Sequence, residues 1–182
     1  MFRGEKHPFL CYRKEVFQTL IFDLDDTLID TSRYLLPIAG TAEFARRIRQ
    51  PLPLLPGVRE TLRLLHPRYD LHLLTQGRIE IQKQKLESSQ LSAFFSEVFF
   101  VDPSKGESKG EVFHQLSQRK APALFLSVGN RRSTDIREAK RYGMKTCFFR
   151  YGEHADEEPE CPEDEADFEV TSFAELIERC QL

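Results

Sequence analysis

The sequence has no apolar run approaching the ~20 residues that a bilayer-spanning helix needs, so no membrane association is expected. It has only four cysteines, Cys11, Cys147, Cys161 and Cys180, and no C-x-x-C pair, which removes the usual zinc and dithiol signatures. Such scattered thiols fit a reducing, cytoplasmic location, with Cys11 and Cys147 read as small apolar side chains. Positive charge is not in excess. The formal net charge is −3, which leaves no basic footprint for nucleic acid. The apolar Pro8-Phe9-Leu10-Cys11-Tyr12 is too short for a signal-peptide core and is followed by charge, and no internal repeat is visible. What is present is a globular profile. The 182 residues are 40% hydrophobic and 30% charged, enough for one domain with a full core and short for two.

The stretch with most to say is Leu20-Ile21-Phe22-Asp23-Leu24-Asp25-Asp26-Thr27-Leu28. A continuous apolar run reads as a strand buried on both faces, and here it ends in three carboxylates and a hydroxyl. Asp23 and Asp25 are two apart, so in extended chain they leave on the same side. Paired carboxylates at the carboxyl end of a buried strand stand where open α/β sheets place their sites, and burying that charge calls for a cation or phosphate chemistry. The plainer reading is that Asp25-Asp26-Thr27 makes only a turn.

Further along, Asp30-Thr31-Ser32 offers helix caps, and Leu35, Ile38, Ala39, Ala42, Ala45 and Ile48 form a rough stripe. Gly40 leaves one bent helix or two short ones open. Val58, Leu62 and Leu65 predict a helix stopped by Pro67, and residues 70–75 a second strand turned by Gln76-Gly77. A polar-faced helix over 78–90 has Ile81 and Leu86 inward, and a strand follows over 97–101. Ser108 to Glu111 fits a capping box, and 124–128 is a fourth strand. Ser133 or Thr134 is expected to cap a helix ended by Gly143, before a fifth strand over 146–149. The acid-rich 153–167 reads as a solvated loop, with no role for His154. A short strand over 168–170 and a helix opened by Ser172 close the chain. Alternating strands and helices predict an α/β fold with a parallel sheet covered on both faces.

Each relevant strand delivers polar groups where it ends: Asp23 and Asp25, then Thr75, then Gly129-Asn130 with Asp135 five residues beyond Asn130. Lys109 opens the helix after the third strand. Lys105 competes with it, but the capping box places Lys109 better. Arg131 and Arg132 read as exposed loop arginines. Carboxylates, a hydroxyl, a lysine and an amide oxygen together suit Mg²⁺ and a phosphoryl group.

The set Asp23-x-Asp25-x-Thr27, Thr75, Lys109 and Gly129-Asn130-x4-Asp135 resembles the haloacid dehalogenase-like (HAD) superfamily of aspartyl-nucleophile hydrolases, in that family's order over nearly all of 18–180. Pro56-Gly57-Val58, Gln82–Glu87 and Ala139–Met144 are further similar stretches. The resemblance implies a Rossmann-like three-layer sheet in the order 5-4-1-2-3, one domain over 1–182, an N-terminal extension over 1–17 and a minimal helical cap within 30–55. It also implies a Mg²⁺-dependent phosphatase of the short-cap or capless type. Asp23 is the implied nucleophile, forming an aspartyl-phosphate, and Asp25 the acid/base, with a raised pKa. Thr75, Gln76 and Lys109 hold substrate, and Asp23, Asp25, Asn130 and Asp135 the metal. Asn130 stands where the family usually has an acid, so weaker metal binding is expected. The expected substrate is a small phosphate ester, and a homo-oligomer is left open. The contrasting reading is a catalytically weak or inactive domain of this fold that binds a partner.

Overall fold

Thr19–Phe22 (β1) has no exposed side chain, which places it inside a sheet. The computed structural model describes residues 17–182. In it β1 runs parallel to Asp70–Gln76 (β2) on one side and Phe125–Gly129 (β4) on the other, with Leu20 opposite Leu71 and Leu126. Glu97–Val101 (β3) lies outside β2, and Lys145–Phe149 (β5) outside β4. The expected order 5-4-1-2-3 is therefore present, and Phe168–Val170 (β6) adds a sixth parallel strand beyond β5.

Between β1 and β2 lie Thr31–Tyr34 (α1), Ala42–Arg47 (α2) and Val58–Leu65 (α3). Ile79–Ser89 (α4), Lys109–Ser117 (α5) and Arg137–Arg141 (α6) make the later crossovers, and Phe173–Arg179 (α7) closes the chain. The strand pleat splits the core in two. Leu20, Phe22, Leu73 and Val128 pack with Val58 and Leu62 of α3 and Phe173 and Leu176 of α7. Ile21, Leu74 and Phe125 pack with Val112, Phe113 and Leu116 of α5 and Ala139 of α6. Both expected serine caps form: Ser108 Oγ accepts from the Glu111 N–H and Ser172 Oγ from that of Glu175. No helix among the described residues is long and apolar enough to cross a membrane. Of the expected extension over 1–17, all but the buried Phe17 lies outside the described residues, as does Cys11.

Of the two readings left open for 33–49, the two short helices form, around a single 3-10 turn, with Gly40 at φ +76° breaking the register between them. Three local expectations are corrected, the first in the apolar stripe of this stretch. Leu35 and Ile48 are buried as expected, but Ala39, Ala42 and Ala45 face solvent, and Phe44 packs on the core instead. Neither Ser133 nor Thr134 caps a helix. The chain enters α6 through a π-helical turn, Arg132–Ile136, closed by the Arg137 N–H donating to the Arg132 carbonyl. That wide turn lets the Asp135 carboxylate fold back and accept the Arg131 N–H at 3.0 Å.

The third correction concerns the acidic segment and the arginines before it. Arg131 is exposed as expected, whereas Arg132 is 2% exposed. Its guanidinium lies over Phe148, 4.1 Å from the ring centre. It donates to the Glu157 carbonyl at 2.8 Å, the Asp164 carbonyl at 2.9 Å and Glu169 at 2.5 Å. Arg137 grips both oxygens of the buried Asp164, at 2.7 and 2.6 Å. This fork matches a carboxylate, and it holds Asp164 at a pKa of about 2. Segment 153–167 is tied down because its buried carbonyls and carboxylate need donors, and these two arginines supply them.

Candidate active site

The site grows from the carboxyl end of β1. Asp23 N–H donates to the Val128 carbonyl at 3.0 Å, which fixes the first residue past β1 against β4. The chain then turns at Asp26, where φ is +53°. The Asp26 carboxylate accepts from Ser32 N–H at 2.7 Å and from Ser32 Oγ at 2.5 Å, so Asp26 holds the turn to α1. Asp23 and Asp25 share a cavity of ≈ 270 Å³ with Gln76, Lys109, Asn130 and Asp135.

Lys109, the first residue of α5, is buried and donates to Asp23 at 2.6 Å and to Asp135 at 2.5 Å. Lys105 is exposed and takes no part. Asp135 reaches across the end of β4 because residue 129 is glycine: a Cβ there would fall 2.3 Å from the Asp135 carboxyl carbon. Asn130 spends its amide N–H on the Tyr151 carbonyl at 3.2 Å, which leaves its oxygen as the acceptor. Thr75, one residue before Gln76, is wholly buried, and its hydroxyl has no hydrogen-bond partner. It is not among the residues lining the cavity, unlike the other sequence-derived site residues.

Burial raises the Asp23 pKa to about 7; Lys109 opposes the shift, and Asp135 and Asp25 add to it. Asp25 goes the other way. Burial alone would raise it, but the Lys85 ammonium and hydrogen bonds from Lys85, Thr31 and Gln82 hold it below the ordinary carboxylate value. The expected raised pKa of Asp25 is thus corrected, since that expectation counted the neighbouring carboxylates and missed a buried lysine.

Gln82 and Lys85 lie in the stretch 82–87 that resembles the family, but sequence reasoning gave neither a functional role. They share the inward face of α4 with Leu86 and Ser89, at i, i+3, i+4 and i+7. That spacing was the available signal. Glu153 and His154 also line the cavity, brought there by the tethered acidic segment, and His154 Nδ1 pairs with Glu157 at 2.7 Å.

Five carboxylates line the cavity, Asp23, Asp25, Asp26, Asp135 and Glu153, against three cations, Lys85, Lys109 and Arg131, so the site retains negative charge. With the Asn130 oxygen the donors are all hard oxygens, which fits Mg²⁺. Among the described residues no group of three or more His, Cys, Asp or Glu is placed to hold a metal ion by itself. Mg²⁺ does not require one, because it keeps waters and takes substrate oxygens.

A parallel sheet of this order, with acids, a lysine and an amide gathered at the carboxyl ends of β1 and β4, defines a HAD-type α/β hydrolase domain. The profile of the NLI interacting factor-like phosphatase family matches residues 18–146, and the chain belongs to that family, within the HAD superfamily. Among curated proteins it is 34% identical over 131 residues to the glyceraldehyde 3-phosphate phosphatase of Pyrococcus furiosus, covering 68% of this chain and 52% of that one. It is 32% identical over 127 residues to the enzyme of the same name from Methanopyrus kandleri, covering 68% and 54%. The chain thus spans about half the length of the curated relatives it matches. Among solved structures, the HAD-hydrolase YfnB of Bacillus subtilis bound to magnesium aligns with a TM-score of 0.70 at 20% identity, covering 92% of this chain and 100% of that one. A HAD phosphatase from Thermococcus onnurineus gives 0.66 at 18% identity, covering 90% and 97%.

Proposed function

We propose that the chain is a Mg²⁺-dependent phosphatase that hydrolyses small phosphate monoesters through an aspartyl-phosphate on Asp23. The observation that carries this is Asp23 itself. It stands in a cavity at the end of the central strand, held at 2.6 Å by a buried lysine that also binds Asp135. A carboxylate so fixed is oriented to attack phosphorus. Lys109 orients Asp23 and offsets charge on the transferring group, and Gln76 lines the space for its oxygens. The Thr75 hydroxyl, buried without a partner, is the group a phosphate oxygen would satisfy after a small shift of β2's end. Asp25 passes a proton to the leaving oxygen and takes one from water. Lys85 holds it ionised in the free site, so it gains that proton only with the anionic substrate beside it, whose charge raises its pKa. Asp23, the Asp25 backbone carbonyl, Asn130 and Asp135 would hold Mg²⁺, which supplies charge neutralisation between anionic nucleophile and anionic substrate.

Residues 30–55 serve as a minimal cap that leaves the cavity open, and the tethered segment bearing Glu153 and His154 forms a second wall. The curated relatives named for glyceraldehyde 3-phosphate support a small phosphorylated metabolite as substrate. The chain acts in the cytoplasm on this reading. The amide at Asn130 favours the second reading, a weak or inactive domain that binds a partner. One assay decides: release of phosphate from p-nitrophenyl phosphate with Mg²⁺ or with EDTA. Wild-type protein turns over with Mg²⁺, and Asp23→Asn does not. An Asp23→Asn variant with wild-type activity would refute the nucleophile, and an inactive wild type would favour the binding module.

A further inference from the structure

Lysine is rarely buried unless paired, yet Lys85 is 6% exposed and Gln82 5%, both directed from α4 to one carboxylate. Lys85 Nζ donates to Asp25 Oδ1 at 2.7 Å, and Gln82 Nε2 donates to Asp25 Oδ2 at 2.9 Å. Each oxygen of Asp25 is therefore held by α4, and Thr31 Oγ1 adds a further donor to Oδ1. The same Gln82 nitrogen donates to the Gln76 carbonyl at 3.0 Å, tying the end of β2 into the clamp. The path of Gln82 depends on Gly77. At φ +148° that residue has no side chain, and a Cβ would lie 2.7 Å from Gln82 Nε2. A glycine, an amide and an ammonium are thus committed to one side chain. For packing alone, an apolar contact between α4 and the sheet would serve as well or better.

We propose that Lys85 and Gln82 are positioning residues for Asp25, fixing its carboxylate beside the cavity so that both of its proton transfers run along a set line. The proposal rests on the phosphatase reading above. In the first half-reaction an Asp23 oxygen bonds to phosphorus, and the bond from phosphorus to the ester oxygen breaks. The electron pair left on that oxygen takes the proton carried by Asp25. In the second, a water oxygen bonds to phosphorus, and the Asp23 oxygen departs with its electron pair. The water's proton goes to Asp25. Both transfers need donor and acceptor within about 2.6–3.2 Å, which a freely rotating Asp25 would meet only part of the time.

The test is kcat/KM measured across phosphate esters whose leaving groups run from p-nitrophenol, which departs without a proton, to glycerol, which needs one. Since kcat/KM reports the steps through leaving-group departure, later hydrolysis does not mask the effect. Lys85→Met is expected to lose about 100-fold on glycerol phosphate, and less than about threefold on p-nitrophenyl phosphate, because that ester bypasses the proton transfer. Gln82→Leu shows the same pattern to a smaller extent, and Lys85→Arg recovers most of the loss. In an Asp25→Asn background, where there is no proton to carry, adding Lys85→Met costs nothing further. That background also removes the unpaired buried charge that could unfold the single variant. An equal loss for every leaving group, or a further loss in the Asp25→Asn background, would overturn the proposal in favour of a purely structural role. A wild-type protein that cleaves no ester overturns the phosphatase reading and this proposal together, and the wild-type rates alone identify that outcome.

Discussion

Replacing Arg132 by Met tests whether the acidic segment is held by its arginines or simply lies in water. Met keeps an apolar stem against Phe148 and removes all of the guanidinium's hydrogen bonds. Two of these go to backbone carbonyls, of Glu157 and Asp164. Leaving such groups without a donor costs about 1–2 kcal/mol each where they are part-buried. The third goes to Glu169, which is substantially exposed and keeps Arg150 at 3.1 Å, so its share is discounted to about 0–1 kcal/mol. The sum is about 3 kcal/mol, and for a domain of this size that lowers the melting temperature by about 6–12 °C. Thermal unfolding followed by circular dichroism reads the shift. Arg131→Met, at the exposed neighbouring position, is the control and is expected to stay within about 0.5 kcal/mol of wild type. Limited proteolysis within 153–165 should also speed up in Arg132→Met. If Arg132→Met melts no lower than Arg131→Met, the tether contributes nothing and the wall it gives the cavity is not held by it.

Two further outcomes concern the carboxylates and the amide. Asp23 has a folded pKa of about 7, above its ordinary 3.8, so its contribution to the metal-free protein's stability is intact below about pH 4 and is lost as pH rises through 7. Asp23→Asn should therefore raise the melting temperature of metal-free protein more at pH 8 than at pH 4.5, and an equal change at both values would count against this. Asn130→Asp adds a charge to the oxygen set. It should lower the Mg²⁺ concentration for half-maximal activity roughly tenfold, while losing the hydrogen bond to the Tyr151 carbonyl and about 1 kcal/mol of stability. An unchanged Mg²⁺ midpoint would remove Asn130 from the ligand set.

The features legible in the sequence were those whose cause is local. Apolar runs marked the strands, serines three residues ahead of glutamates marked the starts of α5 and α7, and the acids of β1 stood at its end. Asp23, Asp25, Gln76 and Asn130, which strand ends deliver, meet at the cavity for the same reason, whereas Thr75 stays outside its lining. Buried charge was not legible, because its partner comes from far along the chain. Lys85 meets Asp25 across 60 positions, and Arg132 meets Glu169 across 37. Read alone, a lysine on a polar-faced helix and an arginine in a loop both belong in water. The same blindness inverted the expected pKa shift of Asp25, whose neighbours in sequence are acids and whose neighbour in space is an ammonium.

Sheet order has a consequence for how copies of the chain meet. Among the described residues β3 pairs only with β2, so its outer row of backbone donors and acceptors is open along Glu97-Val98-Phe99-Phe100-Val101, a sequence with strong β propensity. Such a rim invites another strand to add to it. Charge guards it: Arg119 grips both Glu97 oxygens at 3.1 and 2.8 Å, Lys83 lies 5.8 Å from the Phe100 ring centre, and Asp102-Pro103 ends the strand. The guards are ionic and their strength falls with salt. For this fold, concentration and ionic strength bear directly on whether chains remain separate while they refold.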